Sequence, residues 1–253
     1  MKTLTPAAQA VLDGYLHLPF AGKDVNAPYF NNQRSKVRGG LRVLIGKGTP
    51  ADIVEEAELI ALRDRFSLSD LPETDLKKFL VDHNLGVDCS ALAYYTLAAE
   101  VATKKKADLK NVLHFTHATN FVRRFLTRLR PAENVSVAVL ADDKNTAPIS
   151  LMHVQPGDLI ILWQTGPEKK LNHVLLVHAV DGDSIHYTHT FRWSKEGQYE
   201  HGARQGLITI TDPAKPLTGQ KWTEKGQTGT TNDTFQHALL AAKIELRRLK
   251  ILE

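Results

Sequence analysis

The chain has 253 residues, with 32 Lys plus Arg against 28 Asp plus Glu, 42% hydrophobic and 24% charged residues, and one cysteine. That length and composition support a buried core and exclude disorder as the main state, while a single Cys excludes an intrachain disulfide framework and any cysteine-built zinc cluster. A formal charge of +4 calls for neither a nucleic-acid nor a membrane partner.

No continuous apolar run of signal-peptide length opens the chain, and none reaches the roughly eighteen residues of a membrane span. The expected compartment is therefore the cytoplasm, where a lone thiol stays reduced. Residues 1–18 read as a short helix, with Val11, Leu12, Tyr15 and Leu16 as its apolar stripe. Residues 19–48 mix Gly, Asn and Pro with basic side chains and read as mainly irregular, with a short strand or helical segment at 41–45. Thr49 then opens a helix: Pro50 takes the first helical position and Asp52 completes a T-x-x-D capping box. Its period, set by Ile53, Ala57, Ile60 and Asp64, runs to about residue 65.

A Ser/Asp/Pro cluster at 67–72 ends that helix, a second is expected over 73–83, and Gly86 breaks it. A third begins at Asp88 and reaches the lysines at 104–106. A fourth, about 117–129, is expected to carry Phe121, Phe125 and Leu129 inward and Arg123, Arg124, Arg128 and Arg130 on its polar side, with Pro131 as its stop. The pattern then changes to strand-length runs at 135–140, 158–162, 173–180, 184–190 and 207–211. Asp181 and Gly182 between two of these runs mark a hairpin. A polar stretch at 212–233 leads to an expected final helix with Phe235, Leu239, Ala242, Leu246 and Leu249 on one face.

Helices first, an antiparallel sheet next and a helix last argue α+β rather than alternating α/β. The organisation expected is one domain over 1–253, with a helical extension at 1–85, a core at 86–211, and a polar loop plus C-terminal helix at 212–253.

Cys89 falls just inside a helix N-terminus, with Asp88 as its cap and Ser90 following. Outward-pointing amides and the positive end of the helix dipole favour a thiolate there. A lone cysteine on an apolar helix is equally known as a small buried hydrophobe. Downstream, Pro156, Gly157 and Asp158 turn into an apolar strand, and His173 opens the next one. A histidine at a strand's first position can sit at a cleft edge and serve a thiol as general base.

The strings "DCSAL", "QPGDLIIL", "NHVLLV" and "YTHT", in that order over about residues 86–191, resemble the NlpC-type papain-like cysteine peptidases and the related CHAP amidases. The resemblance implies a papain-like, NlpC-like α+β fold, with Cys89 as nucleophile, His173 as base and a third polar residue on the following strand. Hairpin geometry places the positions opposite His173 at about 190–192, so His189 is the third residue chosen, on its face if the strand carries a bulge. His186 is the alternative, and Thr190 could also orient the imidazole. The resembled family carries a Tyr ahead of its Cys motif in a P-Y string. Pro28 and Tyr29 have that form, followed by Gly39 and Gly40, and a two-helix insertion at about 49–85 would separate them from Cys89. The Cys89 amide is the expected oxyanion donor, with Tyr29 as support. Ala91 stands where the family usually has Gly.

Other signals carry less. The string "LRVLIGKGT" lacks the first glycine and the hydroxyl placement of a phosphate loop. His114 and His117 have no accompanying carboxylate cluster, so no metal is expected. The arginines of 123–130 read as a solvated helix face rather than a nucleic-acid surface. The function expected is a cysteine hydrolase acting on an amide or peptide bond, with no cofactor and no membrane partner. Its substrate would be peptide-like, peptidoglycan fragments included. A thiol acyltransferase, or a non-catalytic binding module, would carry the same residues.

Overall fold

The computed structural model describes residues 1–31, 42–115, 120–193 and 196–253. Strand β1 (Lys2–Thr3) precedes α1 (Pro6–Leu16), which starts at a proline and buries Ala8, Leu12 and Tyr15. Helix α2 (Pro50–Arg63) opens with the full capping box: the Thr49 hydroxyl accepts from the Asp52 amide at 3.1 Å and the Asp52 carboxylate from the Thr49 amide at 2.8 Å. Helix α3 (Glu73–Asp82) gives way to Asn84 in the left-handed region, φ 58°. Helix α4 (Cys89–Lys105) is buried around most of its circumference, so its apolar residues run continuously rather than as a stripe.

Four short helices follow: α5 (Leu109–Val112), α6 (Phe121–Leu129), α7 (Pro131–Asn134) and α8 (Val137–Leu140). The run at 135–140, expected as a strand, is thus largely α8. Ser136 decides it, because its hydroxyl accepts from the Val139 amide and caps a helical turn. Helix α6 is also turned over relative to expectation: Phe125 and Leu129 face solvent, and Thr127 is buried. His117, Gly39, Gly40, Leu41 and the side chains of Phe121 and Arg124 lie outside the described residues.

The remaining strands are β2 (Thr146–Pro148), β3 (Leu159–Thr165), β4 (Leu171–Asp181), β5 (Ser184–Phe191), β6 (Gly202–Thr209), β7 (Lys221–Glu224), β8 (Gln227–Thr228) and β9 (Lys243–Leu249), with α9 (Asp233–Leu240) before the last. Among the described residues they form one nine-stranded antiparallel sheet in the order β2-β9-β3-β4-β5-β6-β7-β8, with β1 also paired to β4.

The expectation of a papain-like, NlpC-like fold closed by a C-terminal helix is therefore corrected. The chain is α+β, with its strands mostly in the C-terminal half, and its last long segment is a strand inside the sheet, between β2 and β3. The residues of β9 favour helix by propensity, but pairing on both edges overrides that preference. Ile244 and Leu246 pack with one core of the sheet, and Leu249 belongs to the other.

Those two cores explain the uninterrupted apolar runs of β3 and β4. Leu159, Ile161, Val174 and Leu176 meet α1, α2 and α4, whereas Ile160, Leu162, Leu175 and Val177 meet Trp222 and, from α9, Phe235 and Ala238. A strand covered on both faces loses its polar alternation. Residues 1–85 are not an appendage, because Leu12, Tyr15 and Ile53 share one core with Leu92 and Leu97 of α4. Among the described residues no helix is long and apolar enough to cross a membrane.

Candidate active site

The backbone entering α4 is clamped between two other segments. The Val87 amide donates to Pro28 O at 2.9 Å, the Phe30 amide to Val87 O at 3.3 Å, and the Asp88 amide to Gly46 O at 2.9 Å. Gly86 makes that approach possible, since a Cβ there would collide with the Pro28 carbonyl. Asp88 caps the helix: its Oδ1 accepts from the Ala91 amide at 2.8 Å and the Ser90 hydroxyl at 2.9 Å, while its Oδ2 lies 2.8 Å from Lys47 Nζ. Lys47 also donates to Ser90 Oγ at 2.7 Å and Val135 O at 2.8 Å. The ammonium and carboxylate are buried together with their hydrogen bonds made, the condition under which buried charges are tolerated. Asp88 and Ser90 therefore build the helix start. Cys89 is presented from it into a cleft of about 760 Å³, whose lining includes Tyr29, Val135, Asn172 and Phe191.

The helix end alone would favour a thiolate, but the surroundings reverse the sign. Burial pushes the thiol up to about 12 and the Asp88 carboxylate adds to it. The Val174 amide, the Lys47 ammonium and the Ser90 amide pull the other way. At neutral pH the resting group is a neutral thiol, so any nucleophilic chemistry needs a base at the moment of attack.

The Val174 amide reaches Cys89 because the β4–β5 ladder stops short of it. The last pair before the cleft is Leu176 with Thr188, and a bulge between Val177 and Ala179 shifts the register. Extending that register sets His173 opposite Phe191 and leaves His189 as its diagonal neighbour on the same face. The structure brings these two together: His173 Nε2 lies 2.9 Å from His189 Nδ1. Both rings are fully buried, with His173 edge-on to Phe191 at a centroid distance of 4.9 Å. By strand alternation they point to the side of Leu175 and Tyr187, whereas Val174 and Thr190 point toward α4. The direct link between Cys89 and β4 is thus the Val174 amide, one residue along from the imidazole.

Behind His189 stands Glu224, which the sequence did not single out. Its Oε2 lies 2.9 Å from His189 Nε2 and accepts from the Tyr187 hydroxyl at 2.8 Å, and Thr234 of α9 donates to the same carboxylate at 2.9 Å. Burial pushes this carboxyl up, but His189, Arg204 and the Tyr187 hydroxyl outweigh it and hold it below the usual range. An ionised Glu224 only accepts, so His189 carries its proton on Nε2. His189 Nδ1 lies against His173 Nε2, so the two rings share one proton at that contact. One carboxylate thereby sets a proton on the His189 nitrogen that faces it and aims the other nitrogen of that ring at His173.

The other candidates separate from this chain. His186 sits opposite Ala179 near the hairpin turn, with its ring 5.9 Å from that of His178. Thr190 Oγ1 donates to Val87 O at 3.4 Å on the α4 side, which braces the loop before Cys89 rather than orienting an imidazole. Tyr29 lies beside the site, bridged to Val87, with its ring 4.9 Å from Phe191 and facing the cleft. Glu224 was hidden in a stretch read as polar loop; the inward alternation of Trp222 and Glu224 is the signal that β7 was there. No protein-family model, curated protein or solved structure matches the chain.

Proposed function

We propose that the chain is a thiol hydrolase that cleaves an amide or peptide bond at Cys89. The observation that carries this reading is the ordered series Glu224, His189, His173, which ends on the residue preceding the Val174 amide that meets the thiol. In this reading the His173 imidazole, one residue from the Val174 amide that meets Sγ, takes the Sγ proton as sulfur attacks the carbonyl carbon, and the oxyanion forms toward the Cys89 amide, one of the first-turn donors an α-helix leaves without an intrahelical acceptor. The imidazolium returns the proton to the leaving amine, and the C–N bond breaks to give a thioester and free amine. Water, deprotonated by His173, then attacks the thioester, releasing the acid and restoring the thiol. His189 and Glu224 hold the ring and stabilise its charged form. An acceptor other than water would make the same steps an acyl transfer.

The test is twofold. Iodoacetamide labelling of Cys89 at pH 7 is expected to fall by about tenfold or more in His173→Ala and in Glu224→Gln. A mass shift for a thioester adduct with an activated peptide ester is expected in the wild type and absent in Cys89→Ala. Equal labelling of the wild type and His173→Ala, negligible at pH 7 and rising only at alkaline pH, would overturn the proposal. Two observations favour a second reading, a non-catalytic binding cleft: the thiol is pushed up to about 12, and the His173 ring points to the far side of the sheet from α4. That reading expects the overturning result, with peptide binding retained in Cys89→Ala.

A further inference from the structure

Helix α6 presents its apolar side to water. Val122, Phe125, Leu126 and Leu129 fall at i, i+3, i+4 and i+7, on one face, and are 63, 57, 54 and 63% exposed. Thr127, on the opposite side, is buried against the protein. Exposed Arg123, Arg128 and Arg130 flank the apolar face, and the ion pair at this end is Arg130 with Glu133 at 3.4 Å. A contiguous apolar surface of this kind is unfavourable in water unless something covers it.

We infer that α6 is an interfacial helix that seats the protein on an anionic lipid bilayer, with its apolar side chains among the acyl chains and its arginines at the headgroup phosphates. Three arginines around four large apolar side chains match a surface that is negative outside and apolar beneath. Two copies meeting through the same face would set arginines against arginines, which disfavours self-association. Val122, Leu126 and Leu129 are aliphatic and offer no stacking platform, so a nucleic-acid strand fits the face poorly. A helix of nine residues is too short to span a bilayer, but it can lie in the interface. Arg130 alone separates α6 from α7, and Glu133 and Asn134 of α7 line the cleft. The Cys89 cleft therefore opens beside the membrane contact, which suits a substrate presented at a lipid surface. The docking itself does not depend on the chemistry proposed for Cys89.

The experiment is co-sedimentation of the full chain with vesicles of phosphatidylcholine, with and without phosphatidylserine, at low and high salt. Binding is expected only with phosphatidylserine, and it should weaken with salt. It should fall by about tenfold or more in Phe125→Glu/Leu126→Glu and in Arg123→Glu/Arg128→Glu. Met152→Glu, at an exposed apolar residue elsewhere, and Cys89→Ala should bind as the wild type does. Circular dichroism checks folding, and Phe125→Ser/Leu126→Ser replaces the first pair if its spectrum changes. The inference is overturned if anionic vesicles do not pellet the wild type, or if both α6 variants pellet unchanged. It is equally overturned by a wild-type dimer that Leu126→Glu splits, or by single-stranded RNA bound in place of vesicles.

Discussion

At Cys89 the dipole of α4 and the Lys47 ammonium favour the thiolate, while burial and the Asp88 cap oppose it, and the opposition wins. Removing a small anion from water costs more than half-charges at a helix end return. The consequence is a pH dependence of stability with a definite sign. An unfolded thiol ionises near 8.5, so the unfolded chain releases its proton first and stability declines as pH rises from about 8.5 toward 12. Between pH 8.5 and 10 the wild type should lose about 2 kcal/mol relative to Cys89→Ser, measured by urea unfolding at each pH. Lys77, held down at about 7 chiefly by burial, acts in the opposite sense over that window, so the difference between the two proteins isolates the thiol. The residue scale is also where the sequence was hardest to read. Cys89 and His173 stood out through type and position, whereas Glu224 became visible only once β7 laid it against His189.

Among the elements, those with local chemistry behaved as their residues dictate. The Thr49–Asp52 capping box started α2, Asp88 started α4, and the left-handed Gly182 turned the β4–β5 hairpin. Thr49→Ala should destabilise the protein by about 1 kcal/mol, read as a shift in the urea midpoint at unchanged slope. Elements whose identity depends on neighbours were misread. Residues 243–249 have a helical composition, yet they become β9 because open edges on β2 and β3 accept them. Residues 135–140 have strand residues, yet the Ser136 cap and the short span between α7 and β2 leave a helical turn. The arginine-rich helix α6 kept its helical period while its inward face was reversed, since periodicity gives the apolar side but not what that side meets.

Across the whole molecule, one sheet separates two cores, and buried polar groups mark its seams. His178 and His201 are both pushed down to about 4, chiefly by burial. The unfolded chain would take up protons at these rings near 6.5, so the stability they contribute is fully present above that pH and is lost as pH falls through 4. The melting temperature should therefore drop between pH 6.5 and 4, and replacing both histidines with Gln should flatten that limb. A pH-independent melt over this range would contradict it. The sequence by itself determined the helix starts, the β3–β4–β5 run, the α+β class and the position of the lone thiol at a helix N-terminus. Caps, turns and periodicity act over a few residues, so they are written locally. Tertiary structure decided the strand order, the insertion of β9, the Glu224–His189–His173 chain and the outward face of α6. Each depends on which distant surfaces compete for the same hydrogen bonds and the same apolar area, and no local pattern encodes that competition.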